Sequence, residues 1–180
     1  HGIGQVLILL ALWGDKARTV VDAGRRADAI VGKLLQDADQ KRWWSLSRDF
    51  RLLAEASPGA FMNAIEDSLD QSEPSIRALF GADEGGLFRT EHLSDLLWAL
   101  ESLAWSPDLM PRVSHLLARL DAIDNPPGRY ANRPANSLRE IHILWNPQTH
   151  ASLDQRLRAL DLVRKQESDA AWKLMLGILP

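Results

Sequence analysis

Three stretches of this chain repeat one pattern: an amphipathic helix, a short polar or proline break, and a second amphipathic helix. They cover residues 46–69, 93–120 and 153–179, with breaks at Ser57-Pro58, Ser106-Pro107 and Glu167-Ser168-Asp169. The breaks recur after 49 residues and then after about 61, near the ~40–50 residues of a two-helix solenoid repeat carrying one insertion. A lone helix pair cannot bury its own apolar stripe, so the repetition demands stacking of neighbours. No stretch alternates polar and apolar residues over a useful strand length. The predicted fold is therefore all-α: a right-handed, HEAT-like helical-repeat stack of about four helix pairs, forming a single domain over residues 1–180.

Local signals support the pairs. Ser57 reads as the cap of a helix whose first residue is Pro58, where a missing N–H costs nothing, and Phe61, Ala64, Ile65 and Leu69 form its inner stripe. The second repeat is the clearest. Leu93, Leu96, Leu97, Leu100 and Leu103 mark one face, and Leu109, Met110, Val113, Leu116, Leu117 and Leu120 the next, both at helical spacing. A less regular pair lies upstream, an apolar helix at 5–13 and an amphipathic one at 25–35 with Ala27, Ile30, Val31, Leu34 and Leu35 inward. Ser45 and Thr90 read as N-caps. Ser137 with Glu140, and Ser152 with Gln155, match the capping box and predict helices over 137–144 and from 153. Pro74 opens a short helix within 73–80, followed by a loop at 81–86.

Composition narrows the function. With 46% hydrophobic and 25% charged residues in 180, the chain is an ordinary globular domain. A net charge of −3 offers no basic field to nucleic acid or an anionic membrane. Cysteine is absent, which excludes disulfides and thiolate metal ligands and fits a reducing cytoplasm. The apolar run over 3–13 is far shorter than the ~20 residues of a membrane span; a helix apolar on nearly every side reads as buried in a stack. The strongly apolar first and last helices, and His1 in first place, read as a piece of a larger protein that can self-associate through its repeat ends.

Chemistry-bearing motifs are sparse. No glycine-rich phosphate loop, H-E-x-x-H pair or G-x-S-x-G elbow occurs. His92, His115, His142 and His150 are scattered, so no metal and no cofactor are expected. Asp95, Glu101 and Asp108 read as solvated helix-face charges. Trp13, Trp98, Trp105, Trp145 and Trp172 fall in apolar stripes and read as gap-fillers between helices. The adjacent Trp43 and Trp44 cannot share a face, so one ring points outward or the two form a staple ahead of Ser45.

The best binding candidate is the segment 125–139, with Arg129, Tyr130, Asn132, Arg133, Asn136 and Arg139. Guanidinium forks with asparagine amides suit a carboxylate or phosphate. The competing reading pairs Arg133 and Arg139 with Asp121, Asp124 or Glu140, which makes the segment a clasp between helix pairs.

The stretches L-L-W-A-L-E-S-L-A-W-S-P (96–107), N-R-P-A-N-S-L-R-E-I (132–141) and W-N-P-Q-T (145–149), with A-L-W-G-D (11–15) near the start, carry a resemblance. The chain resembles the α-helical, HEAT-like regions of large bacterial proteins, some of which look like STAND-type NTPases, multidomain signalling ATPases. The likeness covers nearly the whole chain and supplies no catalytic residues. It implies a non-catalytic interaction or sensor scaffold within a larger, intracellular protein. Partners would be other domains of that protein, a separate protein or a second copy, with neither nucleic acid nor membrane among them. The alternative is a ligand- or anion-responsive regulatory domain using Arg129, Asn132, Arg133, Asn136 and Arg139.

Overall fold

A computed structural model describes residues 2–16, 22–81, 92–124 and 132–178, and among them the regular structure is helical, without strands. None of these helices is long and apolar enough to cross a membrane. The chain gathers into two compact units, His1–Leu96 and Leu97–Pro180, and the division falls inside one helix.

The first unit holds α1 (Gly2–Trp13), α2 (Ala23–Leu35), α3 (Gln40–Leu46), α4 (Phe50–Ala56), α5 (Pro58–Leu69) and the start of α6 (Leu93–Ala104), with a 3₁₀ helix at Ser75–Phe80. α1 packs on α2 and α4, α2 on α5, and α3 on the 3₁₀ helix. Gly4 permits the close approach of α1 to α4: a Cβ there would meet Leu52 Cδ1 at 2.8 Å. The centre is an aromatic chain, Trp43 to Phe50 to Phe61, with ring centroids 5.8 Å apart at each step in edge-on geometry. Ser57 caps α5 by accepting from the Ala60 N–H, and its hydroxyl donates to Asp28 of α2 at 2.5 Å. One side chain thus ends a helix break and ties two helices together.

The second unit holds the rest of α6 with α7 (Met110–Ile123), α8 (Pro134–His142), α9 (Leu153–Gln166) and α10 (Ser168–Ile178). α7 packs on α8, α9 and α10, and α10 also contacts α8 and α9. All three predicted breaks separate helices, at α4/α5, α6/α7 and α9/α10. Leu97, Leu100, Val113, Leu116 and Leu117 are fully buried. The capping box at Ser152 and Gln155 forms with both of its hydrogen bonds.

Several local expectations need correction. Ser45 lies inside α3, donating to the Arg42 carbonyl, and Asp39 is the cap, accepting from the Arg42 N–H at 2.8 Å. Ser137 does not open a helix either. Pro134, whose fixed φ suits a first turn, starts α8 earlier, so Ser137 is an interior residue. Ile30 points outward while Ala27, Val31 and Leu35 face the core. Thr90 and most of the loop at 81–86 lie outside the described residues.

Candidate functional site

The tryptophans depart furthest from expectation. All seven lie among the described residues; Trp43 is buried, and the other six expose between 36% and 68% of their surface. The five read as gap-fillers are outside the core. On α6 the reason is geometric. Leu93, Leu96, Leu97, Leu100 and Ala104 occupy one face, and a residue next in sequence to Leu97 is turned about 100° around the axis. Trp98 therefore falls away from that face, and Trp105 follows just past the end of α6, in the turn that leads to α7. Trp105 is backed by His150, whose ring lies 5.0 Å away and whose backbone N–H donates to the Trp105 carbonyl at 3.2 Å. Trp145 stands out from the same connection between α8 and α9 and is the most exposed. In the first unit, Trp44 anchors its indole N–H on the Ala78 carbonyl at 2.9 Å while one face stays open, and Lys16 covers Trp13 at 4.2 Å.

The predicted anion segment resolves residue by residue. Arg129 and Tyr130 lie outside the described residues. Asn132 is half-buried just before α8. Arg133 is buried, and its Nε donates to Asp124 Oδ2 at 2.7 Å while Nη2 donates to the other carboxylate oxygen. Asp124 ends α7 and Arg133 precedes α8, so the pair fastens the two ends of the connection. Both side chains are under a tenth exposed, the geometry of the clasp rather than of an open guanidinium. Asn136 and Arg139, one turn apart on α8, line a cleft of about 150 Å³ with Asp121, Lys173 and Gly177.

Two serine–histidine contacts join residues far apart in sequence, which no local pattern reveals. Ser47 Oγ lies 2.8 Å from His92 Nδ1, and Asp95 is 3.9 Å from that same nitrogen. The Ser47 hydroxyl also lies within hydrogen-bond distance of the Trp44 carbonyl, so its single proton has two acceptors to choose between, and the His92 tautomer sets the direction of the contact. Ser114 Oγ lies 2.9 Å from His142 Nε2, with both residues buried. Burial, and then the Arg156 charge, lower the His142 pKa to about 4, so the ring is neutral where it shares a hydrogen bond with Ser114 inside the core. Arg156 Nη1 donates to the His142 and Ile143 carbonyls, closing the C-terminal end of α8.

Glu101 is not a freely solvated charge. Burial raises its pKa against a 2.6 Å hydrogen bond donated by Ser137, and Glu140 adds to the rise. Among the described residues, no three His, Asp or Glu side chains converge as metal ligands would. The chain matches no protein-family model, no curated protein and no solved structure.

Proposed function

We propose that this chain is a non-catalytic interaction or sensor scaffold, a HEAT-like stack of helix pairs serving within a larger cytoplasmic protein. The observation that carries the reading is the outward set of tryptophans. Trp is the residue most enriched at binding hot spots, where a rigid indole fills a pocket on the partner. Trp98 on α6 is 49% exposed, and Trp105, just past the end of that helix and packed on the His150 ring, is 42% exposed. The resemblance to regions of STAND-type NTPase-like proteins suggests a flanking domain as partner. A P-loop in the longer reading frame would support that context.

The test compares the wild-type chain and W98A/W105A as immobilised baits with equal melting temperatures. Proteins retained by the wild type and lost from the double variant support the scaffold. Identical sets of retained proteins overturn the role given to this face. Sedimentation over a dilution series separates a second copy from other partners.

The rival reading, an anion-responsive domain built on residues 125–139, is weakened at Arg133, which Asp124 occupies.

A further inference from the structure

The cleft between α8 and α10 combines cations with an apolar floor, and it stands apart from the tryptophan surface. Arg139 reaches across it, and its guanidinium has no hydrogen-bond or ion-pair partner among the described residues. The arm of Arg139 lies along α10 where Gly177 carries no side chain: a Cβ there would sit 3.4 Å from Arg139 Cδ. Gly177 is the next-to-last residue of α10, and its missing side chain leaves the floor low there. Ala135, Ala170 and Leu174 complete that floor. At the far edge Lys173 lies 3.3 Å from Asp121, and the Asp121 side chain is only 12% exposed.

The charges define the ligand. Lys173 balances Asp121, which leaves one positive charge, that of Arg139. A dianion such as phosphate would bring a second negative charge toward the part-buried Asp121 without a cation to meet it. The pocket at Arg139 holds about 150 Å³ and opens past Asp121, Ala135, Ala170 and Lys173 into a wider groove lined by Asp124, Glu167 and Asp169, whose carboxylates disfavour extension of an anion beyond Arg139. We infer that this cleft binds a small aliphatic monocarboxylate, its carboxylate held in the Arg139 fork and its stem on Ala135, Leu174 and Gly177. Arg presents two parallel N–H donors that match a carboxylate.

The experiment is an amide NMR titration of the 180-residue chain with butanoate at constant ionic strength, with butanamide and inorganic phosphate in parallel. Butanoate should shift the Arg139 and Gly177 amides saturably, with a dissociation constant of about 1–10 mM. Butanamide and phosphate should leave them little changed. R139Q should weaken butanoate binding about tenfold or more, the scale of a lost charge-assisted hydrogen bond, and R139K should fall between. R158Q, on the exposed side of α9, should bind as the wild type does. G177A raises the floor by one methyl at an ordinary contact distance from Arg139 Cδ, so it gives a second variant that should fold and also bind more weakly. The inference is overturned if no saturable shift occurs, if butanamide or phosphate matches butanoate, or if folded R139Q and G177A both retain wild-type affinity.

Discussion

His142 is the residue whose environment makes the sharpest quantitative demand. Its folded pKa, about 4 against an ordinary 6.5, means that the native state holds the ring neutral. The unfolded chain therefore takes up a proton first as pH falls, and stability is lost between about pH 6.5 and 4. At 1.36 kcal/mol per unit, the full loss is about 3 kcal/mol. Glu101 acts with the opposite sign, since burial disfavours its carboxylate and acid relieves that penalty. The difference between wild type and H142Q isolates the histidine: chemical denaturation at pH 7 and pH 4.5 should show a smaller acid loss in H142Q. A second demand falls on Arg133. Removing it in R133A leaves Asp124 charged, buried and unpaired, at a cost of about 3–5 kcal/mol, whereas R133M/D124L should recover most of the loss. A measured R133A cost below about 1 kcal/mol would place the pair in solvent. The Arg133–Asp124 contact was legible because the acid and base flank one connection. Ser114 with His142 was not, since they lie 28 residues apart and meet only when α8 docks on α7.

At the scale of elements, periodicity recovered the helices and most of their inward faces because one face of each is nearly continuous in Leu, Val and Ala. It failed for the tryptophans because an apolar stripe was counted without asking which side each ring occupied. Placing Leu97 inward already turned Trp98 outward, and that signal was present in the sequence. Helix starts were less legible. Ser45 and Ser137 satisfy the local cap pattern, but Asp39 and Pro134 begin their helices earlier and turn both serines into interior residues. Two glycines test the packing in opposite directions. Gly32 lies in α2, and the position its Cβ would take has no neighbour within 4 Å. G32A should therefore stabilise the chain by about 0.5–1 kcal/mol through helix propensity and reduced unfolded-state entropy. Gly4 faces Leu52 at 2.8 Å, so G4A should cost about 1–3 kcal/mol by overpacking α1 against α4. Melting curves of both variants give the comparison directly.

For the molecule as a whole, length and composition suited one domain, whereas the contacts collect into two compact units whose division runs through α6. The second repeat, the clearest in the sequence, straddles that division, so helix-pair counting could not have marked it. The contrast between Trp43 and its six exposed relatives also has a spectroscopic consequence. An indole in a dry core emits at shorter wavelength and is shielded from quenchers; one already in water changes little when its surroundings unfold. The short-wavelength emission of this protein should come from Trp43 and vanish in W43F, with acrylamide quenching nearly all that remains. The short-wavelength component of tryptophan fluorescence will then report the melting of the first unit alone, while the second, whose four indoles are 42–68% exposed, is followed by backbone signals such as far-ultraviolet circular dichroism.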